Sequence, residues 1–128
     1  MLSKEEKRFF AKIAIGARSL SNCQNPGGAV LIAGGKILSY GYSKSIIDGQ
    51  PWEMSAIYDT LFGVRDINIS NTTIFSSYFP KLDDMKLLLA AGVSTIYFFG
   101  NIDDPESVKL MNEAKRISMP LEIVQLDG

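Results

Sequence analysis

The chain has no histidine and only one cysteine among its 128 residues. A lone Cys23 cannot form an intramolecular disulfide. Zinc sites draw mainly on Cys and His, so no ordinary zinc site is expected within one chain. Long apolar runs are also missing. The stretches Leu87 to Ala91 and Tyr97 to Phe99 fall far short of the roughly 20 residues that span a bilayer, and no membrane partner is expected. Nor is there a basic excess: 13 Lys and Arg stand against 14 Asp and Glu, a formal net charge of −1. That balance carries no electrostatic footprint for nucleic acid. The densest basic segment, Lys4, Lys7, Arg8 and Lys12, is diluted by Glu5 and Glu6 and reads as the wet face of a helix. The first residues lack the apolar core of a signal peptide, so a cytoplasmic location is expected.

Hydrophobic residues make up 46% of the chain and charged residues 21%, ordinary values for a globular protein. The length suits one domain over residues 1–128 with a single sizeable core. Ser3 and Glu6 have the spacing of a capping box. Phe10, Ile13, Ala14 and Ala17 then recur with helical period. Ser21 to Gly27 breaks the chain, placing Cys23 in a turn as either a half-buried or a reactive thiol. Gly28 to Ala33 and Lys36 to Tyr42 flank Gly34-Gly35, a two-residue hairpin signal. The first of these strands is apolar throughout, which predicts burial on both faces.

Ser43 to Gln50 reads as a loop turning at Asp48-Gly49. Pro51 suits the first turn of a helix, where its missing N–H costs nothing. Met54, Ile57, Tyr58 and Leu61 form that helix's apolar stripe, and Gly63 its end. Asn68 to Asn71 is a further loop, and Thr72 to Ser77 a third strand. Pro80 opens a helix with Leu82, Met85, Leu88 and Leu89 facing inward, stopped by Gly92. Ser94 to Phe99 is a fourth strand. Asp104-Pro105-Glu106 caps a helix through Val108, Met111, Ala114 and Ile117. After Pro120, Leu121 to Leu126 is the fifth strand. Strand–helix–strand alternation after a hairpin implies parallel neighbours joined by right-handed crossovers. The expected fold is a three-layer α/β/α arrangement: a mixed five-stranded sheet, opening hairpin first and parallel strands after, with helices on both faces.

Two stretches organise the chain: Gln50-Pro51-Trp52-Glu53-Met54-Ser55-Ala56-Ile57 and Ser77-Tyr78-Phe79-Pro80-Lys81-Leu82-Asp83-Asp84. Each is a turn opening onto an apolar helical run. In this layout the chain resembles the cytidine and deoxycytidylate deaminase superfamily, where one helix opens with H-x-E and a later one with P-C-x-x-C. The resemblance extends to Ala14-Ile15-Gly16-Ala17, to the hairpin and to Leu88-Leu89-Ala90-Ala91-Gly92-Val93. The last helix and strand point to the deoxycytidylate branch. Aligned on Glu53 and Pro80, the chain keeps the Glu and the Pro. Pro51 stands at the His, Lys81 at the first Cys and Asp84 at the second. Ser43 replaces an Asn that contacts nucleotide in the family, and Ser77 replaces a Thr.

The resemblance therefore implies a deaminase fold without its zinc. Ser43, Pro51, Trp52, Glu53, Ser77, Pro80, Lys81 and Asp84 would form a degenerate pocket with no catalytic or metal-binding residue. Glu53 has two readings: the relic of the family's proton shuttle, or an acid favourable to the dipole of a helix's first turn. Zinc can lower the pKa of bound water from ~15.7 to ~7, a shift worth roughly 12 kcal/mol. A lone general base contributes only about 3–5 kcal/mol. Deamination by the family mechanism is thus not expected. Lys81 either replaces the cation, bridging to Glu53 and Asp84, or points to solvent. Trp52 reads as core or as a filler blocking the substrate cavity.

Three functions follow from the resemblance. The first is a catalytically inactive protein acting through oligomerisation, with itself or with another deaminase-like chain. Tyr58, Phe62, Tyr97, Phe98 and Phe99 are candidates for the interface as well as for the core. The others are a pyrimidine nucleotide-binding module and an enzyme with residual cytidine or dCMP deaminase activity. No cofactor is expected.

Overall fold

A computed structural model describes residues 2–64 and 69–127. The first helix, α1 (Lys4–Arg18), opens on the expected capping box: Ser3 Oγ accepts from Glu6 N–H, and the Glu6 carboxylate accepts from Ser3 N–H. Strands β1 (Gly28–Ala33) and β2 (Lys36–Tyr42) pair antiparallel. Gly34 and Gly35 both adopt positive φ, 57° and 77°, as a two-residue hairpin turn requires.

Beyond β2 the sequence reading needs correction. Lys44–Ser45 (β3) pairs antiparallel with Glu53–Met54 (β4) in a separate two-stranded sheet. Part of the expected loop is therefore strand, and Pro51 lies in the exposed turn between the two. The next helix, α2 (Ala56–Phe62), begins five residues later than Pro51. Its N-cap is Ser55, whose hydroxyl accepts from Tyr58 N–H. A serine accepting a first-turn N–H satisfies an orphan donor; Pro51 can only tolerate a missing one, and the serine sets the boundary. Met54 accordingly belongs to a strand, and Tyr58 turns outward. Gly63 caps α2 as expected.

Strand β5 (Thr72–Ser76) and helix α3 (Leu82–Ala91) follow. The loop expected at Asn68 to Asn71 lies outside the described residues at position 68; residues 70–71 form a turn. Pro80 precedes α3 without opening it: Lys81 is the N-cap, in the extended conformation usual for a cap. Gly92 ends α3 at φ 86°. Then come β6 (Val93–Phe99), α4 (Pro105–Arg116) and β7 (Glu122–Leu126). Ile117, read as part of α4, is its exposed C-cap.

The five-stranded sheet has the order β2-β1-β5-β6-β7. β1 is antiparallel to β2 and β5, whereas β5, β6 and β7 are parallel. This is the mixed sheet expected. Strand side chains alternate between faces, and residue parity sorts the core. Val30, Ile32, Phe75 and Tyr97 meet Phe10, Ala11 and Ala14 of α1 on one face. Ala29, Leu31, Ile74, Ile96 and Phe98 meet α2 and α3 on the other, through Ile57, Met85 and Leu88. Val108 and Met111 place α4 on that second face too. β1 is buried on both faces, as its unbroken apolar sequence predicts.

Candidate functional site

At the sheet edge where β2 and β5 end and β1 begins, a cavity of about 480 Å³ opens between the starts of α2 and α3. Its lining includes Gly27, Ser43, Glu53, Tyr78, Lys81 and Asp84. Of the eight residues singled out by sequence, the structure thus gathers Ser43, Glu53, Lys81 and Asp84 around one cavity. Ser77 is buried behind it, holding the start of β1: Gly28 N–H donates to Ser77 Oγ at 2.9 Å. Pro80 is also buried, and its carbonyl accepts from Ser107 Oγ at 2.8 Å. Pro51 and Trp52 do not line the cavity. Trp52 is 63% exposed, so it neither fills the core nor blocks the site. The correction follows from the hairpin, which carries its turn away from the body of the fold.

Ser43 follows β2 and is buried. Its hydroxyl accepts from Gly27 N–H at 2.6 Å and lies 3.2 Å from Ser21 Oγ, fixing the loop ahead of β1. Glu53 is exposed on β4, outside any helix, so the dipole explanation for it fails. Its Oε2 accepts from Gln24 N–H at 3.3 Å. Cys23 is half-buried beside it. Desolvation raises the thiol's pKa, Ser21 works in the opposite direction, and Glu53 raises it further. The thiol is therefore a poor source of thiolate, which favours the unreactive reading.

Lys81 settles on neither Glu53 nor Asp84. Its Nζ lies 3.1 Å from Asp103 Oδ2, with both side chains more than half exposed. The solvent-facing reading holds, with an ion pair at the rim.

Asp84 carries the unexpected arrangement. It is only 6% exposed and has no basic side chain bonded to it among the described residues. Oδ1 accepts from Ser55 Oγ at 2.6 Å, and Oδ2 accepts from the Tyr78 hydroxyl at 3.0 Å. Each hydroxyl in turn accepts from the first turn of α2: Ser55 from Tyr58 N–H at 3.0 Å, Tyr78 from Ile57 N–H at 3.1 Å. Two helix-terminal N–H groups are thus relayed through two hydroxyls onto one carboxylate. The positive end of α2 reaches Asp84 without touching it. Burial raises the Asp84 pKa, the two donors oppose that rise, and Asp83 adds to it. Tyr78 is pushed far above its usual range, first by burial and then by the Asp84 charge. Gly27 makes room for this ring, since a Cβ there would lie 2.8 Å from Tyr78 Cε1.

A second carboxylate works the neighbouring junction. Asp104 Oδ1 accepts from Glu106 N–H and Ser107 N–H at the start of α4. Its Oδ2 accepts from Leu82 N–H at the start of α3, at 3.0 Å. One side chain caps two helices, which compensates for Lys81 having no capping bond from its own side chain. Sequence reasoning found Asp104 as a cap of α4 but missed its reach to α3. It found Asp84 but missed Tyr78 and Ser55, whose roles depend on side chains meeting across elements.

Among the described residues, no three His, Cys, Asp or Glu side chains converge as a metal site would need. No described helix is long and apolar enough to cross a membrane.

No protein-family model and no curated protein sequence matches the chain. Solved structures do. The dCMP deaminase of cyanophage S-TIM5 superposes in apo form with a TM-score of 0.80 at 20% identity, covering 98% of this chain and 100% of that one. The same enzyme in complex with dCMP and dUMP gives a TM-score of 0.83 at 19% identity, with the same coverage. A Thermotoga maritima diaminohydroxyphosphoribosylaminopyrimidine deaminase/5-amino-6-(5-phosphoribosylamino)uracil reductase gives 0.71 at 18% identity over 94% of this chain and 36% of that one. A five-stranded mixed sheet with this order of elements, laid over those enzymes along nearly its whole length, has the deaminase fold.

Proposed function

We propose that this chain is a deaminase-fold protein that does not deaminate by the zinc route and acts instead through assembly, with itself or with another deaminase-like chain. The observation that carries this reading is the engagement of Asp84. The residue aligned with a metal-binding cysteine has both carboxylate oxygens held by the hydroxyls of Ser55 and Tyr78. The other two aligned positions offer no better donors. Pro51 has no donor atom in its side chain and sits on an exposed turn, and the Lys81 ammonium is paired with Asp103. This donor set does not fit a zinc ion, which takes thiolate, imidazole or free carboxylate ligands in tetrahedral array. Without an activated water, Glu53 has no partner for the family's chemistry.

The test is elemental analysis and deamination assays on the untagged chain, before and after incubation with zinc. The expected result is no stoichiometric zinc and no turnover of dCMP, dUMP-forming or otherwise. Bound zinc together with deamination that vanishes in Glu53→Gln would overturn the reading.

A second reading has support from the cavity itself. Its volume of about 480 Å³ lies within the ~300–1,000 Å³ typical of small-ligand sites, and one structural neighbour holds dCMP and dUMP. A pyrimidine nucleotide is the matching ligand class. Glu53, Asp84 and Asp103 around a single Lys81 oppose its phosphate. Thermal-shift titration with dCMP, dUMP and cytidine decides the matter, and no shift with any of them removes this reading.

A further inference from the structure

We infer that the face of the sheet beside α1 receives an acidic, amphipathic helix contributed by another protein, seated over β6 and β7 with its carboxylates toward α1. That surface shares no lining residue with the cavity between α2 and α3, so the reading above neither requires it nor falls with it.

The two faces of the sheet are covered unequally. Helices α2, α3 and α4 pack on one, whereas α1 is the only described helix on the other. Phe10, Ala11 and Ala14 seat α1 over Val30 and Ile32 of β1 and Phe75 of β5. Strands lie ~4.8 Å apart and a helix with its side chains is ~10 Å across, so one helix covers two strands. The next seat on this face lies over β6 and β7. There the register puts Phe99, Val124 and Leu126 on the same side as Phe75 and Tyr97, and all three are only half-buried. A groove of about 880 Å³ runs along this seat, with Phe99 and Leu126 on the sheet side and Ala11 and Ile15 in the wall formed by α1. Sheet faces with this apolar content are closed by a packed layer. The five residues of β7, at ~3.3 Å each, match a helix of about 11 residues at ~1.5 Å each.

Charge argues for an acidic occupant. The α1 wall is a stripe in which Lys4, Arg8, Ala11, Ile15 and Arg18 follow helical spacing, flanked by Lys7 and Lys12. Five cations therefore line the groove against one carboxylate, Asp127. None of the five is ion-paired among the described residues; Lys7 lies instead 5.6 Å from the centre of the Tyr97 ring. The neighbouring acids stand off the groove. Glu6 accepts from Ser3 N–H and, with Glu122, lines a separate hollow toward the start of β7. Glu5 lies on α1 outside the lining. An apolar floor beside a basic wall is matched by a helix with apolar anchors at i, i+3, i+4 and i+7 and Glu or Asp along one flank. A second copy of this chain is the wrong occupant, because a two-fold pairing of this face sets five cations against five. Nucleic acid is disfavoured as well. Single strands stack on successive aromatic rings, and here Tyr97 is covered, leaving Phe99 alone in the lining.

The probe is a synthetic, end-capped peptide of about three to four helical turns, with Leu at the anchor positions and Glu elsewhere. It is titrated onto the untagged full chain by calorimetry, and nitrogen-15 NMR locates the contact. Binding is expected, with shifts at Ile15, Val124 and Leu126. The double variant Arg8→Glu, Lys12→Glu is expected to weaken it by about 10-fold or more, as when two exposed ion pairs turn repulsive. Both positions are exposed, and circular dichroism confirms that the variant folds. Lys115→Glu, on α4, should leave binding unchanged, and the same peptide with Lys in place of Glu should not bind. Absence of binding by the acidic peptide overturns the inference, as does indifference to the double variant or equal binding of a Glu/Ala peptide without the Leu stripe. Tighter binding of oligothymidylate, lost in the double variant, overturns it in favour of nucleic acid. Shifts at Ile15 and Leu126 on dilution of the chain alone overturn it in favour of self-association. None of these outcomes bears on zinc or deamination, which the earlier assays read separately.

Discussion

Two carboxylates join helix starts in this fold, and they do it in opposite electrostatic styles. Asp84 links α2 to α3 from inside, through two hydroxyls, and its pKa is raised. Asp104 links α3 to α4 from a more open position, through three backbone N–H groups. Desolvation raises its pKa, but those donors outweigh it and the net shift is downward. Hydroxyl and N–H donors both favour the ionised carboxylate; the two sites differ because burial outweighs the donors at Asp84 and does not at Asp104. The buried junction holds a carboxylate whose charge burial opposes; the open one stabilises its charge outright.

The largest expected effect comes from removing the buried member. Asp84→Ala leaves the Ser55 and Tyr78 hydroxyls without their acceptor, and burying an unsatisfied polar group costs ~1–3 kcal/mol. A loss of about 2–4 kcal/mol in urea unfolding is expected, with Asp104→Ala losing less because water reaches its freed N–H groups. Equal losses at the two sites would erase the distinction.

The pH dependence sharpens the comparison, since the signs differ. A raised carboxyl binds its proton more tightly in the folded state than in the unfolded one. Stability therefore falls as pH rises from the ordinary Asp value of 3.8 through the raised Asp84 value. A lowered carboxyl contributes stability above the ordinary value and loses it as pH falls toward its own. Asp84→Asn is expected to flatten the decline on the upper side of 3.8, and Asp104→Asn the decline on the lower side. Thermal melts across a pH series check both slopes. The smallest effect belongs to Lys81→Ala. Its partner is the exposed Asp103, and such pairs are worth about 0–1 kcal/mol, so no marked change in stability is expected.

These junctions also show what a sequence can disclose. The sheet was legible because parity and helical period are local: Val30 and Ile32 against Ala29 and Leu31 already sort the two faces. Capping at Ser3 and Asp104 was legible for the same reason. The β3–β4 hairpin was not, since only two residue pairs define it and Pro51 carries a competing helix-start signal. At the candidate site, Glu53, Lys81 and Asp84 could be brought together by alignment, but their partners could not. Tyr78 reaches Asp84 only because Gly27, some fifty positions earlier, leaves space for its ring. Lys81 chooses Asp103 over Glu53 because α3 starts after it, leaving its side chain at the rim. Trp52 misled because its size suggests burial while its hairpin carries it into solvent.

The relay onto Asp84 also sets the terms on which this scaffold could be re-engineered to hold a metal. Asp84→Cys would supply a thiolate and in the same stroke strand Ser55 and Tyr78, the two hydroxyls that receive the α2 N–H groups. Pro51→His would add an imidazole on a turn five residues short of that helix. Lys81→Cys would release Asp103. Of the three, only Asp84→Cys breaks a buried network; the exposed Pro51 and Lys81 positions can change with little effect on stability. The arrangement concentrates the obstacle in one residue: the step at Asp84 leads downhill in stability unless Ser55 and Tyr78 are given another acceptor.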